Sequence, residues 1–409
     1  MSWLSPLLVL LLDVLGGQAA PPDPQALETM ARRALARVEK LRDQKLSRPL
    51  KMGVKDKDQI TGFIQDRLKE EYGAEKVHGE GELLKLQGLL PAELDYGGFV
   101  TRLLAEQVAG FYDHTRQELH IAAWLPIFLQ EPVMAHEIFH AIQDQEWGGG
   151  KLIDSKVYTH DAVLAHAALL EGDATVVMFN YQQMELGVDI TESGFGLSAV
   201  AASLPMQMAS PQFPVMAVAP DYLKQSLIFP YQQGLLFIGA LRRGGMSWAE
   251  VRKIYADPPA STEQILHPER YHPKRDVPSV VKTPALGWPG YKRTWEGTAG
   301  EFHHRQILLG FLPLTDAIAA GAGWDGDYTA VEEGPEGSVV TTLSTWDTPA
   351  DAEEFSAALD RAYAARPEPR PALVKRVRGA DLAYAFARDA ALATKALEQT
   401  LQAGNIERR

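Results

Sequence analysis

Apolar residues recur at helical spacing through the first quarter of the chain, which predicts a helical N-terminal region over residues 24–104. Within it we expect helices over 25–44 and 58–72, with a short strand over 49–54 between them. This region is either a removable propeptide or an integral part of the fold. The second interpretation requires fewer assumptions.

Residues 105–282 are predicted to combine a β-hairpin with long helices. The stretches 108–113 and 118–122 alternate in polarity around a polar turn, which predicts two antiparallel strands. Pro132 suits the first turn of a helix and the glycines at 148–150 suit its end. We therefore expect one helix between them, directly after the hairpin.

Two further helices are predicted in this section, over 158–186 and over 230–241. Gly172 interrupts the first of them; a glycine inside a helix costs about 1 kcal/mol relative to alanine, so a packing reason is expected there. Methionine often fills irregular gaps in a core. We therefore expect core positions for three methionines between the two helices: Met206, Met208 and Met216.

From residue 283 the composition shifts to Gly, Pro and Trp, and strand and helix patterns then alternate. The strands are expected over 328–333, 338–346, 372–377 and 382–386, and the helices over 350–365 and 389–403. Residues 283–409 are therefore predicted to form a small α+β module. No pattern within this module requires a chemical function.

Composition narrows the classes of protein that fit. A chain of 409 residues with 46% apolar residues can bury a large core, and its length suggests two or three folding units. It has no cysteine, so neither disulfides nor thiolate metal ligands are possible. A net charge of -13 argues against nucleic acid as a partner.

The N-terminus has the features of a signal peptide over residues 1–19. An apolar run over 3–12 is too short to span a bilayer, and small residues at 17–19 offer a cleavage site. No Lys or Arg precedes the run, and Asp13 interrupts its end. We expect a secreted or periplasmic protein without a membrane span in the mature chain; a start-site artefact or a short membrane-associated helix is the alternative.

The pattern His-Glu-x-x-His occupies residues 136–140, on the helix predicted after the hairpin. At about 100° per residue, His136, Glu137 and His140 share one side of that helix, and apolar residues cover the other. Two imidazoles spaced i, i+4 can bind one zinc ion and leave a position for water, which Glu137 can deprotonate. The alternative is a pair of core histidines that only form hydrogen bonds.

A catalytic zinc site needs a third protein ligand, and Glu171 on the helix over 158–186 is the best candidate. Small residues surround it within about 60° on the helix, a surface that would let the His-Glu-x-x-His helix approach closely. They are Ala167, Ala168, Ala174 and Thr175. The alternative is an ordinary carboxylate at the edge of the core.

Three polar residues near the candidate ligands are expected to have supporting roles. His166 and Asp173 point away from Glu171, so we expect them to pair with each other or to support a neighbouring turn. Asp144 lies one turn after His140, where it either orients a ligand ring or is a solvated helix-end residue.

Several short motifs resemble those of an uncharacterised bacterial family of predicted gluzincin-type zinc metallopeptidases, which combine His-Glu-x-x-His with a glutamate ligand. The resemblance covers about residues 30–350 of the chain. Besides the five-residue metal pattern, the matching segments are Gln-Val-Ala-Gly-Phe-Tyr-Asp at 107–113, His-Ala-Ile-Gln-Asp-Gln at 140–145, Glu-Gly-Asp-Ala-Thr at 171–175, Phe-Pro-Tyr at 229–231 with Gly234, and Ser-Thr-Glu-Gln-Ile-Leu-His-Pro at 261–268.

The resemblance implies one catalytic Zn²⁺ held by His136, His140 and Glu171, with Glu137 as general base. Zinc peptidases also use a His or Tyr that stabilises the oxyanion, and Tyr231 and His267 are candidates because each lies in a matching motif. The implied fold is α+β: a mainly helical zincin-like catalytic core over 105–282, with an upstream β-hairpin and the C-terminal α+β module. The hairpin either pairs with the peptide substrate or is purely structural.

The function expected from the sequence is that of an exported zinc-dependent metallopeptidase with a peptide or protein substrate. Two alternatives stay open. One is a zinc hydrolase of a non-peptide amide or ester, and the other is a non-catalytic cell-envelope binding protein whose zinc is structural, closed by four protein ligands.

Overall fold

The computed structural model describes residues 24–125, 127–208 and 213–409. Within these ranges the protein has an α+β fold, as the sequence predicts. The predicted signal peptide over residues 1–19 lies outside the described residues.

The helices follow one another along the chain as α1 Pro24–Arg42, α2 Lys57–Arg67, α3 Ala74–Leu86, α4 Tyr96–Gln107, α5 Ile127–Trp147, α6 Gly149–Leu152, α7 His160–Gln182, α8 Gly194–Met208, α9 Pro214–Ala217, α10 Asp221–Arg243, α11 Trp248–Val251, α12 Thr262–Leu266, α13 Gly300–Leu309, α14 Leu314–Gly321, α15 Pro349–Ala364 and α16 Ala390–Ala403. A π-helical turn, Leu68–Tyr72, continues α2.

The strands are β1 Lys51–Lys55, β2 Gly110–Asp113, β3 Glu118–Ala122, β4 Val280–Lys282, β5 Lys292–Gly297, β6 Trp324–Gly334, β7 Gly337–Trp346, β8 Ala372–Arg378, β9 Asp381–Ala387 and β10 Asn405–Glu407. They form a three-stranded sheet in the order β1-β3-β2, a five-stranded sheet in the order β5-β6-β7-β9-β8, and the pair β10-β4. All neighbours are antiparallel except β1 and β3.

The hairpin predicted before the His-Glu-x-x-His helix is confirmed. It consists of β2 and β3, with Gly110 opposite Ile121 and Asp113 opposite Glu118. Strand β1 from the N-terminal region pairs with the other side of β3. Strand β2 is therefore an edge of this sheet, and α5 follows directly after β3.

Two helices begin earlier than their prolines suggest. Helix α5 begins at Ile127, five residues before Pro132, and α10 begins at Asp221, nine residues before Pro230. Both prolines therefore lie inside helices, where each removes one backbone hydrogen bond. Around Pro132, buried Leu129 and Val133 anchor the first turns in the core, so tertiary packing outweighs the missing bond.

The three methionines differ in their environments. Met216 is buried, as expected, whereas Met206 is 75% exposed and does not fill the core. Met206 lies on α8, which packs against α10 through other side chains, including buried Leu197 and Ala201. The side chain of Met208 lies outside the described residues.

Two large apolar cores organise the fold. One is built from α1, α5, α7 and α10, and it surrounds the predicted metal site. The other joins the N-terminal helices α2–α4 to the five-stranded sheet and α15, so the N-terminal and C-terminal regions share one core. Helix α7 is long and apolar enough to cross a membrane, but the whole of that apolar stretch is buried inside the protein.

Candidate metal centre

Helices α5 and α7 bring the three predicted ligands together. The Nε2 atoms of His136 and His140 are 3.0 Å apart, and they lie 3.1 and 3.3 Å from Oε2 of Glu171. All three side chains are buried, with exposed fractions of 1%, 8% and 0%. They are the one group of three or more such side chains in the described residues that could hold a metal ion.

The spacing of these atoms fits a zinc ion. Two ligand atoms at 2.0–2.1 Å from a tetrahedral zinc lie about 3.3–3.4 Å apart. The three observed separations, 3.0, 3.1 and 3.3 Å, lie within a few tenths of an ångström of that value. Two imidazole nitrogens and one carboxylate oxygen are also the donor set of catalytic zinc sites, which keep a fourth position for water or substrate.

The two faces predicted for α5 are confirmed by burial. Met134, Ile138 and Ile142 pack in the apolar core, while His136 and His140 turn toward α7. The helix ends at Trp147, and Gly148 follows with a positive φ of 69°, a conformation that glycine adopts readily. Gly148 therefore ends the helix as predicted, and Gly149 and Gly150 begin α6.

Gly172 has the packing reason that the sequence predicts, and its neighbour is α10. A Cβ on Gly172 would lie 2.1 Å from the backbone carbon of Gly234, and a Cβ on Gly234 would lie 1.9 Å from the carbonyl oxygen of Ala168. The backbones of α7 and α10 are thus in direct contact. This contact lies next to Glu171 in the sequence of α7. Ala168 belongs to the small-residue surface that was predicted to face α5, and its carbonyl oxygen lies against α10.

Glu137 lies beside the three ligands with an exposed fraction of 1%. Neither of its carboxylate oxygens has a hydrogen-bond partner among the described residues. Burial raises the pKa of Glu137 to about 8, the negative charge of Glu171 adds to this effect, and His140 opposes it. A cation bound beside Glu137 would lower this pKa and favour the carboxylate, which is the form that accepts a proton.

In the metal-free site, the pKa values of His136, His140 and Glu171 depend on their burial and on the charges of one another. Burial lowers the pKa of His136, and the His140 charge adds to this. Burial also disfavours the charged form of His140, but the Glu171 carboxylate outweighs that and raises the His140 pKa to about 9. For Glu171, burial alone would raise the pKa, yet the two histidines lower it overall. The carboxylate is therefore held in its metal-binding, ionised form.

Gln143 orients the ring of His140. Its amide group donates to the Leu170 carbonyl at 3.0 Å and to the Tyr255 hydroxyl at 2.8 Å, so its oxygen must face the other way. That oxygen accepts from Nδ1 of His140 at 2.7 Å. Because Nδ1 carries this proton, Nε2 is the ring nitrogen that can bind a metal.

The chain of hydrogen bonds continues to the N-terminal helix. The Tyr255 hydroxyl donates to the Asp173 carboxylate at 2.7 Å, and Arg42 of α1 forms a two-pronged ion pair with the same carboxylate, one contact being 3.0 Å. Both charged side chains are buried, with exposed fractions of 3% and 0%. The Arg42 guanidinium also stacks on Trp248 and Phe139 at 3.9 and 4.8 Å from the ring centres.

The structure shows which of the contacts expected for the supporting residues are present. His166 and Asp173 do not pair with each other: Nδ1 of His166 bonds the Leu152 carbonyl at 2.7 Å, which supports the neighbouring turn, while Asp173 bonds Arg42 and Tyr255. Asp144 orients no ligand ring. It accepts from the Tyr112 hydroxyl at 3.1 Å and from the Gly150 amide at 3.2 Å.

The sequence could have indicated Gln143, because it lies three residues after His140 and therefore one turn along the same face. Arg42 and Tyr255 carry no such signal. They are 131 and 82 positions from Asp173, and only the folded chain brings them together.

The two candidate oxyanion donors are placed differently. Tyr231 is buried, and its ring faces that of His136 with centroids 6.2 Å apart and an angle of 23°. Nε2 of His267 lies 3.0 Å from both Glu301 and Arg305, two residues of α13. The structure thus brings Tyr231, and not His267, against a predicted metal ligand.

Replacing Gln143 by Leu is expected to weaken zinc binding about 10- to 100-fold, because a polar partner that fixes a ligand ring typically contributes that much to metal affinity. Competition with a coloured zinc chelator measures the dissociation constant. Gln182→Leu, at the exposed end of α7, is the matched control and should leave zinc affinity unchanged. Equal affinities for both variants would contradict the orienting role of Gln143.

A groove leads from the surface to the ligands. A narrow crevice lined by His140, Gln143 and Tyr112 adjoins a groove of about 580 Å³. The residues that line both are His114, Asp144, Gly150 and Ile153. The groove and the crevice of about 30 Å³ therefore reach His140, one of the three candidate ligands.

Comparison with known proteins gives one match. A family described as a domain of unknown function (DUF8575) matches residues 290–400, from β5 to most of α16. That match lies within the C-terminal module and includes none of the candidate metal ligands. No curated protein and no solved structure matches the chain. The resemblance to gluzincin-type peptidases therefore stays a prediction.

Proposed function

We propose that this protein is a zinc-dependent metallopeptidase, exported from the cell, that hydrolyses peptide bonds. The observation that carries the proposal is the buried cluster of His136, His140 and Glu171 at tetrahedral spacing, with the unpaired Glu137 carboxylate beside it. A zinc ion bound there would act as a Lewis acid and lower the pKa of a water to about 7.

The protein residues supply the rest of the chemistry. His136, His140 and Glu171 would hold the ion, and the Gln143 oxygen, by accepting from Nδ1 of His140, leaves Nε2 free to bind it. A carboxylate oxygen of Glu137 takes the proton of the attacking water and then delivers it to the amine that leaves when the peptide bond breaks. We assign stabilisation of the developing oxyanion to the hydroxyl of Tyr231, whose ring lies against His136.

The burial of the four residues supports a catalytic site and not a metal ion bound at the protein surface. Its three ligands and its base are almost fully buried, and the described opening is a narrow crevice. Such a site limits bulk water and strengthens the electrostatic interactions of the reacting groups. It also retains a place for a fourth, exchangeable ligand, because the described residues supply three protein donors.

Removal of zinc is the direct test. Treatment of purified mature protein with 1,10-phenanthroline should abolish cleavage of a mixed peptide library, and one equivalent of zinc should restore it. The non-chelating 1,7-phenanthroline is the control and should leave the rate unchanged. Mass spectrometry of the peptides identifies the broken bonds, and metal analysis gives the zinc content.

The possible outcomes separate the competing functions. Zinc-dependent cleavage supports the proposal. Zinc without peptide cleavage, but with hydrolysis of esters or non-peptide amides, would assign a different hydrolase. Bound zinc that is required for folding and supports no hydrolysis would indicate a structural metal.

A further inference from the structure

Cationic side chains outnumber carboxylates in the groove beside the candidate metal centre, although the protein as a whole is acidic. Arg48, Lys151 and Lys156 line the groove, together with the two carboxylates of Asp144 and Asp154. The whole chain has a net charge of -13, so a surplus of cations at this location does not follow from composition. Among the residues that the structure describes, none of the three cations forms an ion pair.

The two carboxylates in the groove already have hydrogen-bond partners. Asp144 accepts from the Tyr112 hydroxyl and the Gly150 amide, at 3.1 and 3.2 Å. Asp154 accepts from the backbone amide of Lys156 at 2.9 Å. These bonds fix the carboxylates without using any of the three side-chain cations, which therefore stay available to a ligand.

Arg48 is held in place by the metal-binding helix. The side chain of Gln145, on α5, accepts from the Arg48 amide at 2.8 Å and donates to the Arg48 carbonyl at 3.3 Å. Its oxygen also accepts from the Ser47 hydroxyl at 3.1 Å. The backbone at Arg48 is thus held against the helix that carries His136 and His140, and the Arg48 side chain lines the groove from there.

Gly150 and His114 are in close contact where the groove and the crevice meet. A Cβ on Gly150 would lie 2.5 Å from the ring of His114, so only glycine lets that ring occupy its position between the two cavities. Arg48 lines the same groove as His114 and Gly150 of this junction. A substrate bound at the metal centre would therefore extend past Arg48.

We infer that this groove binds a carboxylate group of the substrate, so that peptides with a carboxylate near the scissile bond are preferred. Arg48 and Lys151 supply the attraction, with Lys156 further along the lining. The inference rests on the proposed peptidase function, which it deepens by naming a substrate class. The carboxylate belongs either to an Asp or Glu side chain or to the C-terminus of the peptide.

Peptide binding tests the inference without requiring catalysis. Isothermal titration of the full-length Glu137→Gln protein would use three peptides of one length: an acidic peptide with an amidated C-terminus, a neutral peptide with a free C-terminus, and a neutral amidated peptide. We expect at least one carboxylate-bearing peptide to bind about tenfold more tightly than the neutral amidated one. Which of the two binds tightly identifies the source of the carboxylate.

Charge reversal then tests the residues. The double variant Arg48→Glu with Lys151→Glu should weaken binding of the preferred peptide about tenfold or more and change that of the neutral amidated peptide by less than about twofold. Lys45→Glu is the matched control, since it reverses an exposed lysine three residues before Arg48 and should change neither affinity. Unchanged zinc content and circular dichroism would show that the variants are folded.

Two outcomes would overturn the inference. One is equal affinity for all three peptides, and the other is an unchanged preference in the double variant. Either result leaves the proposed peptidase function intact if the wild-type protein cleaves peptides. Conversely, selective binding of carboxylate peptides without any cleavage by the wild-type protein would support the groove assignment and contradict the proposed function.

Discussion

Glu137→Gln is expected to lower the rate of peptide cleavage about 10²- to 10⁴-fold while zinc stays bound, because an amide has nearly the shape of a carboxylate but cannot take a proton from water. The substitution is expected to change the chemistry of residue 137 without removing a described hydrogen bond. Both Glu137 oxygens lack hydrogen-bond partners among the described residues, so no described hydrogen bond is lost when one oxygen becomes an amino group.

The measurement combines kcat on a cleaved library peptide with the zinc content of the same preparation. Glu146→Gln is the matched control, because Glu146 is an exposed residue near the end of the same helix. It should retain zinc and full activity. A Glu137→Gln protein that cleaves at the wild-type rate would remove Glu137 from the mechanism, and one that loses zinc would point to a direct role in binding.

The metal site is the part of this protein that the sequence predicts best, because its geometry is mostly local. Helical spacing alone places His136, Glu137 and His140 on one side of α5, and the same spacing separates Glu171 from His166 and Asp173 on α7. Only the pairing of the two helices is non-local. The short motif therefore contains most of the information about the ligands.

Helical spacing does not predict contacts between segments that are distant in sequence. Pro132 and Pro230 suggested helix starts, but burial of the preceding residues keeps both helices intact. Gly172 indicated a close contact without identifying its partner, Gly234 of α10. In each case the deciding interaction joins segments that have no periodic relation in sequence, and tertiary packing overrides local preference.

His267 illustrates the same limit for a functional assignment. Its motif suggested a role in chemistry, and its Nε2 atom contacts α13 of the C-terminal module. The hydroxyl of Thr262, in the same motif, accepts from the Phe302 amide of α13 at 3.1 Å. This segment therefore contacts α13 through at least two of its polar side chains.

The N-terminal region was open to two interpretations, and the ion pair of Arg42 with Asp173 favours an integral α1. A removable propeptide would leave the mature protein stable after its departure. Arg42 instead neutralises Asp173, a carboxylate with no exposed surface two residues after Glu171. Loss of α1 would leave that charge buried with the Tyr255 hydroxyl as its remaining described side-chain partner. Helix α1 is thus structurally coupled to the metal site.

Arg42→Ala is accordingly expected to lower the free energy of unfolding by about 3–5 kcal/mol, the cost typical of removing one partner from a buried ion pair. Urea unfolding followed by circular dichroism measures it. Arg33→Ala is the matched control on the same helix: Arg33 is 55% exposed and pairs with Glu131, so its loss should cost about 1 kcal/mol or less.

A second substitution separates buried charge from lost packing. Asp173→Asn retains an acceptor for the Tyr255 hydroxyl and removes the negative charge, so Arg42→Ala combined with Asp173→Asn should be less destabilised than Arg42→Ala alone. If the double variant is the less stable of the two, stacking of Arg42 on Trp248 and Phe139 contributes more than its charge. An Arg42→Ala protein as stable as the Arg33→Ala control would show instead that α1 is dispensable, and would restore the propeptide interpretation.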